Sequence, residues 1–165
     1  MQQQILGSLV DAVRQVFSDS GLPITDEQPA DLSELQPQVI ASIGLVGDFR
    51  GIIMLSTGQT AARAIARAMA SGVRVPNADG LLSEIELAAV GEIANQIAGR
   101  TVTILSGRGV RCEITPPAVV AAAHLQSLVP RVEESLLYRF AGPFGSLEIF
   151  LGVQRGEHAG SRSKN

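Results

Sequence analysis

The sequence predicts a mixed fold of the α+β type within the α/β class: a largely antiparallel sheet with helices laid against it, including one long central helix. Three observations predict it. Three stretches repeat apolar residues at helical spacing, two pairs of apolar runs flank short glycine-bearing turns, and no strand–helix–strand crossover recurs along the chain. With 165 residues, 45% of them hydrophobic, there is material for one sizeable core, so residues 1–155 are expected to form a single domain.

The first helix is predicted over 4–18, where Ile5, Leu6, Leu9, Val10, Val13, Val16 and Phe17 share one side and Asp11, Arg14 and Gln15 lie between them. Ser20-Gly21-Leu22-Pro23 stops it, and residues 24–37, with Pro29, Pro37 and several acids, read as an irregular connection. A strand over 38–47, a turn at Gly47-Asp48-Phe49-Arg50-Gly51 and a returning strand over 52–56 form a predicted hairpin. Residues 59–71 are rich in alanine, the best helix former, with Ala62, Ile65, Ala66 and Met69 on one face and Arg63 and Arg67 on another. This second helix is expected to end at Gly72, before a loop over 73–80 that holds Pro76, Asn77, Asp79 and Gly80.

Residues 81–106 carry the longest periodic pattern. Its second half is ambiguous, because Thr101-Val102-Thr103-Ile104-Leu105 alternates like a strand, yet the helical phase of the first half also puts Ile104 and Leu105 on the apolar side; one long helix is the reading adopted. Two β-rich runs follow, 110–114 and 118–123, with a bend expected at Pro116-Pro117 because proline removes a ladder donor. Residues 132–140 and 146–153 flank Gly142-Pro143-Phe144-Gly145, a second hairpin signal. The two hairpins share a Gly-x-Phe turn, which fits either a pseudo-repeat or the reuse of a common turn. Residues 156–165 have no apolar pattern and are expected to be a disordered C-terminal tail.

Composition excludes several classes of function. Charged residues make up 18%, the net charge is −3 and the lysines and arginines are scattered, so the footprint needed to neutralise phosphates along a nucleic acid is missing. No stretch reaches the length of a membrane span and the start lacks the pattern of a secretory signal, so no membrane association and a soluble, cytoplasmic protein are expected. The single cysteine, Cys112, has no partner for an internal disulfide and no zinc-ligand spacing around it; it reads as a buried strand residue, and no metal or cofactor is expected on this chain. His158 lies in the tail and His124 beside an alanine run, no serine is framed as a nucleophile, and no glycine-rich phosphate loop is present.

What remains is a pair. On the helical projection of 81–106, Leu82, Ala89, Val90, Ile93, Ala94, Ile97, Ile104 and Leu105 fall within one broad half, while Glu92 and Asn95 fall on the other. Three residues apart places them about 60° around the axis and about 4.5 Å along it, so both side chains reach the same target. Ala88, Gly91 and Gly99 surround them where long charged side chains would ordinarily stand. Such small neighbours let another surface approach closely, and a helical glycine costs roughly 1 kcal/mol relative to alanine. Two readings stay open: a docking face with two projecting polar groups, or ordinary solvated residues with glycines that pack against a neighbouring element. Glu86 differs, since its phase points to the apolar side in the first turns, where a carboxylate meets exposed N–H groups and the positive end of the dipole; it reads as structural.

Three segments in order, Glu92-Ile93-Ala94-Asn95 with Gly99 beyond it, Ile114-Thr115-Pro116-Pro117-Ala118-Val119-Val120, and the run from Ile43-Gly44-Leu45 through Ser56, resemble the CheX chemotaxis phosphatases, relatives of CheC and FliY, over about residues 1–153. The resemblance implies a phosphatase acting on the aspartyl phosphate of a CheY-like response regulator in two-component signalling. It also implies a catalytic role for Asn95 in placing the attacking water and for Glu92 in pairing with the regulator's lysine. Mg²⁺ would belong to the partner regulator, and a homodimer formed through the sheets is implied. The sequence departs from the family pattern at Ala88, four residues before Glu92, where Asp or Ser is frequent. A non-catalytic adaptor of the same family, binding a signalling partner without hydrolysis, is the competing expectation.

Overall fold

The computed structural model describes residues 1–69, 81–122, 130, 132 and 134–154. Helix α1 (Gln2–Asp19) leads into strand β1 (Asp26–Pro29), a 3-10 turn (Leu32–Glu34), strands β2 (Val39–Gly47) and β3 (Arg50–Thr57), helix α2 (Gln59–Met69) and helix α3 (Glu84–Gly107). Strands β4 (Cys112–Ile114), β5 (Ala118–Ala121), β6 (Glu134–Gly142) and β7 (Gly145–Gln154) complete the chain. The expected mixed fold with its antiparallel sheet is observed.

The sheet runs β1-β6-β7-β3-β2-β4, with β5 also paired to β2, and every pairing is antiparallel. Both predicted hairpins form, and they lie side by side, joined at their second strands from Arg50↔Gln154 to Thr57↔Leu147. Period-2 alternation sends Val39, Ala41, Ile43 and Leu45 of β2, with Ile53 and Leu55 of β3 and Leu147, Ile149 and Leu151 of β7, to one face. Against them pack Ile5, Leu9, Val13 and Phe17 of α1, Ala62 and Ile65 of α2, and Val90, Ile93, Ala94 and Ile97 of α3. A smaller cluster, Leu35, Ile40, Met54, Leu137 and Phe150, occupies the other face.

Residues 24–37 correct the sequence reading. Asp26–Pro29 is a strand, paired with β6 in the register Glu27↔Phe140. As an edge strand with one neighbour it is held by backbone bonds and needs no apolar alternation, which is why Asp-Glu-Gln-Pro gave no signal. Arg14 on α1 clasps Glu27 through an ion pair, and that contact holds the Glu27 carboxyl below the usual range.

The edge beyond β2 is one strand broken in two. β5 pairs with Val39–Ser42 and β4 with Leu45–Gly47. Between them Thr115 takes over, its hydroxyl accepting from Gly44 N–H at 2.8 Å and its own N–H donating to the Gly44 carbonyl at 3.0 Å. Pro116 and Pro117 thus fall at the predicted bend, where no ladder donor is required. The predicted helix end at Gly72, the loop over 73–80, His124 and the 156–165 tail lie outside the described residues.

Candidate active site

Helix α3 is closed at both ends by its own sequence. Ser83 is the N-cap of a capping box: its hydroxyl accepts from Glu86 N–H at 3.2 Å and the Glu86 carboxylate accepts from Ser83 N–H at 2.7 Å. At the other end Val110 N–H bonds Leu105 O and Gly109 N–H bonds Ser106 O, a Schellman arrangement that Gly109 permits by taking φ +83°. The strand-like run at 101–105 is helical, with Thr101 and Leu105 buried, and its threonines satisfy their hydroxyls by bonding backwards, Thr101 Oγ1 to Ile97 O at 2.7 Å and Thr103 Oγ1 to Gly99 O at 3.0 Å.

This frame presents Glu92 exposed and Asn95 half-buried on the side of α3 away from the core. Gln96, one turn beyond Glu92, donates from Nε2 to Glu92 Oε1 at 3.2 Å. That contact was not foreseen, although the i, i+4 spacing that permits it is visible in the sequence. Among the described residues no side-chain hydrogen bond engages the Asn95 amide, so its donor and its acceptor are both uncommitted there. Ala88 is exposed.

The two glycines divide. A Cβ at Gly99 would meet nothing within 4 Å, as the docking-face reading requires. At Gly91 it would come to 3.0 Å from Val119 Cγ2 and 4.0 Å from Pro117 Cγ, so Gly91 is a packing glycine that lets α3 settle against β5. At Gly91 the blander reading of the residues is the right one.

Glu86 is fully buried, and Arg63 Nε of α2 approaches its Oε1 at 3.6 Å, which bears out its structural role. Cys112 lies on β4 as expected but half-buried rather than buried; partial burial, then the Asp48 charge, pushes its thiol above the usual range. No group of three or more metal-binding side chains occurs among the described residues, and no described helix is long and apolar enough to cross a membrane. Two concavities, one around Arg14, Ser18 and Thr25 and one around Asp48, Arg111 and Cys112, lie away from the pair. Neither concavity is lined by Glu92 or Asn95.

The family described as chemotaxis phosphatase CheX matches residues 39–141, a span that holds both Glu92 and Asn95. The chain belongs to the CheX chemotaxis phosphatase family. Among CheX proteins it is similar to the CheY-P phosphatase CheX of Thermotoga maritima, 28% identical over 124 residues that cover 74% of this chain and 76% of that one. Its fold is similar to that of a CheC-like superfamily protein from Shewanella sp. PV-4, with a TM-score of 0.79 at 18% identity, covering 93% of this chain and 99% of the other. It is also similar to a chain of the CheX–CheY–BeF3–Mg²⁺ complex from Borrelia burgdorferi, with a TM-score of 0.74 at 22% identity over 91% of this chain and 97% of that one.

Proposed function

We propose that this CheX-family chain hydrolyses the aspartyl phosphate of a CheY-like response regulator in chemotaxis signalling, working through the outer face of α3. The observation that carries the reading is the outward pair Glu92 and Asn95, flanked by Ala88 and Gly99, in a chain whose family is a phosphatase family. A relative named a CheY-P phosphatase and a relative complexed with CheY support the choice of partner.

Phosphoryl transfer from an acyl phosphate asks little covalent chemistry of the enzyme; positioning and charge stabilisation supply most of the acceleration. Asn95 offers one acceptor and one donor group, enough to hold a water with its lone pair aimed at phosphorus. The water oxygen bonds to phosphorus, the bond from phosphorus to the aspartyl oxygen breaks, and the carboxylate leaves ionised while the water's two protons depart on the released inorganic phosphate. Glu92, pre-oriented by Gln96, pairs with the regulator's lysine and fixes the two proteins in register. Mg²⁺ is held by the regulator in this reading, and this chain contributes no metal ligand. The same family reading carries a homodimer formed through the sheets and a cytoplasmic location.

The test is phosphate release from CheY-type receiver domains phosphorylated with acetyl phosphate. Wild-type protein is expected to accelerate release and Asn95→Ala to lose most of the acceleration while still binding. Ala88, which leaves one family position without a polar group, is the observation that favours a non-catalytic adaptor. Binding of the phosphorylated receiver with no acceleration by wild-type protein establishes that alternative instead.

A further inference from the structure

We propose that the N-terminal end of α3 is the apolar anchor for the response regulator, with Ile85 setting the affinity and Leu81 extending the contact. The proposal rests on the phosphatase reading above and adds to it where the binding energy comes from.

Seven residues separate Ile85 from Glu92, which on a helix is a net rotation of about 20° and a rise of about 10 Å. Ile85 therefore lies on the same stripe as the pair, two turns before it, with only the methyls of Ala88 and Ala89 between. Leu81 is 82% exposed and Ile85 is 48% exposed, whereas Val90, Ile93, Ile97 and Leu105 of the same helix are buried. In the other direction the stripe continues as Gly99, Thr103 and Ser106, and the Thr103 hydroxyl is already bonded to the Gly99 carbonyl. The large exposed apolar side chain the stripe offers a partner, Ile85, stands on the N-terminal side of the pair, and exposed Leu81 lies just before the helix on that same side.

That asymmetry matters because a specific interface draws its energy from a few desolvated apolar or aromatic side chains, while exposed charges give orientation and encounter rate. Glu92 and Asn95 supply orientation. They do not supply an apolar centre. Ile85 also has no role in closing the helix, since the capping box is made by Ser83 and Glu86. The occupant is the receiver domain because the anchor is continuous with the two groups that address its phosphate and lysine. A second copy of this chain is the other occupant the patch admits.

The decisive variant is Ile85→Gln, which keeps a good helix former at an exposed position, with Ile85→Leu as the conservative control. Dephosphorylation of an acetyl-phosphate-loaded CheY-type receiver is expected to show KM raised about tenfold by Ile85→Gln, kcat unchanged, and KM restored by Ile85→Leu. Titration of the beryllofluoride-loaded receiver should show the same loss of affinity, and sedimentation should show an unchanged oligomeric state. An unchanged KM and titration, or a change of oligomeric state in place of the affinity loss, overturns the anchor. A wild-type protein that binds the beryllofluoride-loaded receiver in an Ile85-dependent way, yet releases no phosphate, overturns the phosphatase reading and upholds the anchor.

Discussion

Glu86 and Glu92 are two carboxylates on one helix, six residues apart, in opposite surroundings. Glu86 is fully buried, bonded to Ser83 N–H and faced by Arg63; Glu92 is exposed and touched by Gln96, a side chain that solvent also reaches. The first is committed to holding α3 in place, the second is free to meet something else. Helical phase and position separate the buried carboxylate from the exposed one, and if Glu92 meets a partner as proposed, substitutions on the two sides should report on different observables.

The largest effect is expected on the buried side. Glu86→Ala removes half of the capping box and leaves Arg63 facing a vacated site, so it should cost about 2–4 kcal/mol in denaturant unfolding. Glu86→Gln, which still accepts from Ser83 N–H, should cost about half as much, and the folded fraction of either variant should keep its phosphatase rate. Loss of catalysis by folded Glu86→Gln would blur the division. Next comes Asn95→Ala, expected to lower kcat about 100-fold through loss of water positioning. Its unfolding midpoint should stay near wild type, because the amide has no partner among the described residues to lose. Glu92→Ala should weaken receiver binding about tenfold, with a salt dependence smaller than that of wild type, since one charge pair at the interface is gone.

The smallest effect sharpens the comparison within the exposed side. Gly99→Ala meets open space, so it should raise stability by about 0.5–1 kcal/mol through helix propensity. Gly91→Ala brings its methyl to 3.0 Å from Val119 Cγ2, so that contact should offset most of the same gain. Thermal unfolding of the two variants side by side tests whether only one of the glycines belongs to the docking face.

The long helix, both hairpins and the proline bend were legible because each has a local signal: apolar period, turn residues, or a missing donor. Glu92 and Asn95 were legible as an outward pair from phase alone. The strand Asp26–Pro29 was not, because an edge strand is specified by its neighbour's backbone and its own side chains carry no pattern. Which of the two readings holds at Gly91 was open for a related reason: the atom that decides it, Val119 Cγ2, belongs to a strand far along the chain, and no spacing within the helix reveals it. Cys112 was placed on the right element but given too much burial, since β4 is a three-residue edge strand.

The closure of α3 at both ends has a consequence for how a partner is met. A helix whose Glu86 N–H is taken by the Ser83 hydroxyl and whose last carbonyls are taken by Gly109 and Val110 is held at both ends without a partner. In the proposed complex it would meet the receiver as a rigid body, so the ordering cost would fall on a few side chains rather than on a folding segment. Encounter would then be governed by diffusion and by charge, which suits a complex that has to form and dissolve within each catalytic cycle of the proposed reaction.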